Sequence, residues 1–334
     1  MLKKISHSKG EEYIKRGVVE EISYYIKSMK NEISKIFLGQ EEVVNLLINA
    51  LICNGHVLVE GVPGIAKTLA VLSLARVSGC SSKRIQFTVD LLPADIIGIT
   101  VYNVGKGYEV IKGPIFTNFL VADEINRASP KTQSALIEAM QERQVTIGNE
   151  THILPKPFFV MATQNPIETE GVYPLPEAQL DRFLFKIIFT YPRREIEKMV
   201  MEQNITFKHF SEYNLKPIVS PKQILDIQKE VHKIYCDDKI KDYILDIVEK
   251  TRSKNSKYSE YIEMGVSPRA SIALYLSSKA EALMNGRVFV IPADVKKIAL
   301  ECLRHRLILN YKAYSNKLSA DDIIKSIIDE TKTP

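Results

Sequence analysis

Cysteine is scarce and scattered: the 334 residues hold four, Cys53, Cys80, Cys236 and Cys302, with no C-x-x-C pair among them. That excludes a zinc ribbon or a disulfide framework and fits thiols kept reduced in a cytoplasm. Long apolar runs are also missing. The longest apolar region, Val43 to Val59, is broken by Asn45, Asn49, Asn54, Gly55 and His56, so it reads as helix, turn and strand. No membrane span is expected. The first residues are charged (Lys3, Lys4, Glu11, Glu12) and have no apolar core of the signal-peptide kind. Nor does one sign of charge dominate. A net charge of +5 with dispersed basic residues permits an acidic partner without calling for nucleic acid. What remains, 45% hydrophobic and 25% charged, is the composition of a globular protein long enough for about two domains.

The stretch around which the rest is organised is Gly61-Val62-Pro63-Gly64-Ile65-Ala66-Lys67-Thr68. A short apolar strand, Val57 to Glu60, precedes it, and a helical pattern opens at Leu69. Strand, glycine loop, Lys-Thr and helix is the order a phosphate cradle needs. Loop amides and the positive end of the helix dipole converge on one spot. Lys67 would reach the β- and γ-phosphates, and the Thr68 hydroxyl would hold Mg²⁺. The general motif has glycine before the lysine, where this chain has Ala66, so the backbone there is asked whether it needs a positive φ.

Downstream, Phe119 to Glu124 reads as a strand buried on both faces and ending in two acids, Asp123 and Glu124. Such a strand belongs in the middle of a parallel sheet, and acids at its carboxyl end lie where open α/β sheets bind ligands. Asp123 could hold Mg²⁺ through water while Glu124 polarises the attacking water. Phe158 to Thr163 is a similar strand leading to Asn165, and Arg182 precedes a fifth, Phe183 to Phe189. Arg84 to Val89 supplies the remaining strand. Two further hairpins are expected, one within an insertion spanning Leu91 to Pro114 and one over Gln144 to Leu154. Residues 1 to about 35 read as a peripheral helix. Beyond residue 193 only helical patterns persist, two of them opened by Ser-Pro at Ser220 and Ser267. Arg269 falls in the first turn of one of them, where a cation opposes the helix dipole. Either an outside anion or plain solvent exposure would account for it.

With GVPGIAKT, ADEINRASPKTQSALIEAMQERQVT, MATQNPIETEGVYPLPEAQLDRF and GVSPRA in that order, the chain resembles a MoxR-type AAA+ ATPase over about residues 33 to 310. The resemblance implies a P-loop NTPase core of the AAA+ kind, α/β with a parallel five-stranded sheet, followed by an all-helical lid. The expected division is an N-terminal helical extension over 1–34, the core over 35–192 and the lid over 193–334. By the same resemblance Gly61 to Thr68, with Leu69, is Walker A, and alanine at position 66 is usual. Asp123 and Glu124 match Walker B, Asn165 sensor 1, Arg182 the arginine finger and Arg269 sensor 2. Leu38, Gly39 and Gln40 resemble the segment beside the adenine. The family implies ATP and Mg²⁺ as ligands, a ring that is commonly a hexamer, and chaperone-like remodelling of client proteins. Partners often carry von Willebrand factor A domains.

The expected mechanism places ATP·Mg²⁺ between core and lid, with Lys67, Arg269 and a neighbour's Arg182 neutralising phosphate charge. Glu124 would orient water in line and Asn165 would position it. Two rivals are a nucleic-acid motor and a nucleotide-gated scaffold that hardly turns over. The Gln144–Leu154 hairpin carries no Lys or Arg, against the first. All expected catalytic positions are filled, against the second.

Overall fold

In the computed structural model of the chain, residues 14–62, 66–165, 171–203, 210–254 and 256–334 are described. Helices α1 (Arg16–Ile33) and α2 (Glu41–Ile52) lead into strand β1 (Val57–Glu60), and helix α3 (Lys67–Val77) follows the glycine loop. Next come β2 (Ser82–Gln86), the short helix α4 (Pro93–Ile97) and the hairpin β3 (Gly98–Asn103) with β4 (Gly107–Lys112). Strand β5 (Phe119–Asp123) precedes helix α5 (Pro130–Glu142), whose start is set by the Ser129 N-cap and Pro130. A second hairpin, β6 (Gln144–Ile147) with β7 (Glu150–Ile153), precedes β8 (Phe159–Gln164). A single helical turn, α6 (Glu177–Leu180), then leads to β9 (Phe185–Ile188).

The central sheet has the order β2-β5-β8-β1-β9, and every pairing is parallel. Strand alternation divides its side chains between two cores. Val57, Val59, Val121, Met161 and Ile187 pack towards α2, α3 and the helices that follow the sheet. Leu58, Leu120, Ala122, Val160 and Ala162 pack towards α5 and the two hairpins. Strand β2 ends at Gln86, short of the expected Val89, whose side chain is 60% exposed.

The remainder forms the lid: α7 (Arg194–Gln203), α8 (Pro221–His232), α9 (Asp238–Lys250), β10 (Ile262–Met264), α10 (Pro268–Met284), α11 (Pro292–Leu303), β11 (Ile308–Leu309), α12 (Tyr311–Ser315) and α13 (Ala320–Glu330). Capping boxes at Ser220 and Ser319 start α8 and α13 as their sequences suggest. The expectation of an all-helical lid needs one correction, because β10 and β11 pair antiparallel. At three and two residues these strands are too short to show alternation. The peripheral reading of the first helix is also corrected. Val19, Ile22, Ile26, Met29 and Ile33 of α1 are buried in the shared core, and Ser23 Oγ donates to the Met284 carbonyl of α10 at 3.2 Å. A stripe spaced three and four residues apart predicts a buried face without saying what covers it.

Candidate active site

Topology assembles the first group of residues. Strand β8 lies between β5 and β1, so the acids ending β5, Asn165 after β8 and the loop after β1 share one carboxyl edge. Ala66 does adopt the left-handed conformation, with φ 58°, and as N-cap of α3 it offers no side-chain acceptor. The first amides of the helix are thereby left for a ligand. Pro63, Gly64 and Ile65 lie outside the described residues, whereas Gly61, Val62 and Leu69 lie within them. Lys67 Nζ donates to the Gly61 carbonyl at 2.7 Å. Partial burial lowers the Lys67 pKa, opposed by the charges of Asp123 and Glu124.

Thr68 Oγ1 lies 3.4 Å from Asp123 Oδ2, so the two expected metal positions are adjacent. An oxygen-only pair suits a hard cation that takes its remaining ligands from phosphate and water, as Mg²⁺ does. Among the described residues no cluster of three or more His, Cys, Asp or Glu competes for a metal. Asp123 and Glu124 have separate surroundings. Asp123 Oδ1 accepts from Thr163 Oγ1 at 3.2 Å, and Arg84 Nε lies 2.5 Å from Oδ2. Glu124 leaves the strand with φ 57°, and its carboxylate meets Gln86 Nε2 at 2.7 Å and Arg127 Nε at 3.2 Å. Asn165 is buried.

Leu38, Gly39 and Gln40 lie at the same edge. The Phe37 ring is 6.3 Å from that of Phe189, whose N–H donates to the Glu60 carbonyl at 2.8 Å. Gly39 has φ 70°, and an added Cβ would fall within 2.8 Å of Ile196 of α7. Only glycine suits that crossing of the pre-core segment and the first lid helix.

Arg182 and Arg269 lie elsewhere. Phe185 pairs with Val57 at the start of both strands, so Arg182 sits at the amino edge, a four-residue strand away from the P-loop. That is about 13 Å at ~3.3 Å per residue. Arg269, at the start of α10, has Nη1 3.7 Å from Asp181 Oδ2. Both arginines line a cleft of ≈ 240 Å³ with Gly55, His56, Met140 and Arg306. The structure thus brings Arg269 to Arg182 and not to Lys67. Arg182 is exposed, and among the described residues no acid lies within ion-pair distance of it. Asp181 is engaged instead by Ser267, Arg269 and Arg306.

His56 stands behind this cleft. Its Nδ1 accepts from the Val160 N–H at 3.0 Å, and its Nε2 is 3.1 Å from the Met140 carbonyl, which fixes the tautomer with hydrogen on Nε2. Burial, then the charge of Arg143, pushes its pKa down to about 3. His305 is likewise held neutral, well below its ordinary value, by burial and then by Arg306.

Sequence reading missed Arg84, Gln86, Arg127 and Thr163 as partners of the acids. Arg84 and Gln86 are two apart on an edge strand and so share a face, a legible signal. Which carboxylates they meet depends on the β2–β5 register, Gln86 opposite Asp123.

A glycine loop between parallel strand and helix, paired acids on a neighbouring strand and a helical lid define a P-loop nucleoside triphosphatase fold of the AAA+ kind. Comparison with known proteins agrees. The profile of the ATPase family associated with various cellular activities (AAA) matches residues 56–185, and that of the AAA lid domain matches residues 256–327. The chain is 45% identical over 305 residues to the uncharacterised protein YeaC of Bacillus subtilis, covering 90% of this chain and 92% of that one. It is 44% identical over 309 residues to the chaperone MoxR1 of Mycobacterium tuberculosis, covering 91% and 81%. The crystal structure of a proposed ATPase from Cytophaga hutchinsonii superposes with a TM-score of 0.87 at 44% identity, covering 95% and 98%. The chain belongs to the MoxR family of AAA+ ATPases.

Proposed function

We propose that this chain hydrolyses ATP in a ring of identical subunits, commonly a hexamer in this family, and uses the cycle to remodel a client protein. The observation that carries the reading is the division of cations. Lys67 accompanies the acids at the carboxyl edge, while Arg182 and Arg269 stand together at the amino edge, beyond reach of their own P-loop. A ring in which one subunit's amino edge faces the next subunit's carboxyl edge would give each nucleotide a complete set of cations.

Bound Mg²⁺·ATP supplies the γ-phosphoryl group and a divalent charge beside it. Thr68 and Asp123 would hold the cation, and Lys67 would exchange the Gly61 carbonyl for phosphate oxygens. Glu124 takes the part of water-polarising base, its carboxylate aimed by Gln86 and Arg127. Asn165 orients the same water, and Leu38 to Gln40 border the base. The neighbour's Arg182, with Arg269 beside it, stabilises charge that grows in the transition state. In this reading Arg269 serves the neighbouring site rather than its own. The chaperone-like role rests on the name of the Mycobacterium relative. No helix among the described residues is long and apolar enough to cross a membrane. A cytoplasmic place and a client with a von Willebrand factor A domain are part of the proposal.

The test is complementation. Arg182→Ala should bind ATP and lose about three to five powers of ten in turnover. Arg269→Ala should fall in the same class. Either variant mixed with Lys67→Ala should recover activity, because mixed interfaces pair an intact P-loop with an intact arginine pair. Turnover independent of protein concentration, in a chain that stays monomeric with ATP, would contradict the shared site.

A further inference from the structure

A third arginine of the amino edge, Arg306, has no part in the chemistry above and is bound more fully than either of the others. It follows α11, and its side chain is 3% exposed. A guanidinium carries five N–H donors in a rigid fork, and here each one has a protein acceptor. Nε donates to Asp181 Oδ1 at 2.8 Å. Nη1 donates to the Leu184 carbonyl at 3.2 Å and to the Cys302 carbonyl. Nη2 donates to the Asp181 carbonyl at 3.1 Å and the Phe183 carbonyl at 2.6 Å.

Four of these five acceptors lie on residues 181, 183 and 184, which bracket Arg182 in the chain. Neighbouring lid residues extend the grip. His305 Nε2 is 3.1 Å from the Phe183 carbonyl, and Arg304 Nη1 donates to the Lys186 carbonyl at 3.3 Å. The remaining Asp181 oxygen accepts from Ser267 Oγ at 2.9 Å, and Ser267 caps the helix that carries Arg269.

Burying a charge in this way is a poor route to stability, since desolvation offsets most of the attraction and an apolar contact holds two elements together as well. What a saturated fork adds is direction: the backbone on both sides of Arg182 is held at fixed angles to the lid. Lysine could not do this, having three donors on one flexible point.

We propose that Arg306 is a positioning residue for the arginine finger. By clamping the 181–184 turn to the lid, and by holding Asp181 where Ser267 and Arg269 also meet it, Arg306 sets Arg182 and Arg269 as one pair of cations for the next subunit's phosphates. The proposal rests on the shared-site reading above. A finger displaced by about 1 Å is enough to cost on the order of a hundredfold in rate.

The experiment measures ATP affinity, kcat and KM for Arg306→Lys and Asp181→Asn, alone and in mixed rings. Nucleotide affinity and KM should stay at the parent values while kcat falls about a hundredfold. Mixing either variant with Lys67→Ala should restore turnover, whereas mixing with Arg182→Ala should restore none, because both lesions then lie on the finger side. The triple variant Arg182→Ala/Arg269→Ala/Arg306→Lys should be no slower than Arg182→Ala/Arg269→Ala. Should Arg306→Lys fail to fold, Asp181→Asn carries the same comparison, since it keeps one oxygen for Arg306 while the charge and the second acceptor, which meets Ser267 and Arg269, are lost. Parent-like kcat in a folded variant, or recovery on mixing with Arg182→Ala, overturns the proposal. If Lys67→Ala and Arg182→Ala fail to complement each other, the shared site itself falls and this inference with it.

Discussion

The two edges of the central sheet are built on opposite plans. At the carboxyl edge, backbone strain sits at Ala66 and Glu124, both at positive φ, and Lys67 spends its charge on one carbonyl. Its polar groups are gathered beside helix amides that Ala66 leaves without a side-chain cap, as a polyphosphate site requires. At the amino edge two buried groups have their hydrogen-bonding capacity filled. His56 uses both ring nitrogens, and Arg306 uses all five donors. Arg182 and, in part, Arg269 face outward there. In the proposed function one edge receives the nucleotide, and the other holds two cations steady for a neighbouring subunit.

The sharpest way to break the contrast is to remove charges from the receiving edge. Lys67→Ala should lose ATP binding by about 2–5 kcal/mol, the usual result of truncating one partner of a hydrogen-bonded charge pair. Glu124→Gln should keep binding and lose about two to four powers of ten in turnover, the range for a general base. Both should unfold close to the parent temperature, because neither side chain anchors the core. Equal nucleotide affinity in Lys67→Ala and parent, or undiminished turnover in Glu124→Gln, would show that the receiving edge lies elsewhere.

Acid should act on the other edge. His56 is neutral in the folded protein down to about pH 3, while an unfolded histidine binds a proton near pH 6.5. Below pH 6.5 the unfolded chain therefore carries more protons, and stability falls as pH drops. The loss from His56 is about 1.4 kcal/mol per pH unit. His305 adds in the same direction. Urea unfolding at pH 6.5, 5.5 and 4.5 measures the slope, and His56→Gln should lower it by one histidine's share. An unchanged slope in that variant would mean that the imidazole takes up its proton within the fold.

The smallest effect is expected at Ala66. A left-handed alanine costs roughly 1–2 kcal/mol, and glycine returns about 0.5–1 kcal/mol of that in chain entropy. Ala66→Gly should therefore stabilise by on the order of 0.5 kcal/mol, seen as a small rise in Tm with nucleotide absent. A clear fall would mean that the alanine methyl makes a contact worth more than the strain it causes.

Much of this protein was legible in its chain before any coordinate. Apolar runs of the right length with breaks between them named four of the five strands of the sheet, because burial on both faces leaves few polar positions, and alternation over Arg84 to Val89 named the edge strand β2. Strand, glycine loop and Lys-Thr in sequence named the receiving edge, because those residues are contiguous and their chemistry is local. The identity of Asp123 and Glu124 as strand-end acids followed from the same locality. Local sequence could not say which way α1 faces, since an amphipathic stripe is silent about its cover. It could not reveal β10 and β11, whose pairing is long-range and too short to leave a period.

Above all, it could not separate the arginines. Arg182 and Arg269 are 87 residues apart in the numbering, and nothing in their neighbourhoods distinguishes an arginine that serves its own nucleotide from one that faces away. That was decided by strand direction and lid docking, through Phe185 opposite Val57 and Asp181 held by Ser267 and Arg306. The chain alone determined which chemical groups are present and which of them must lie together along one turn or strand. Tertiary structure alone decided which edge each cation occupies, because that depends on packing between segments that have no contact in sequence.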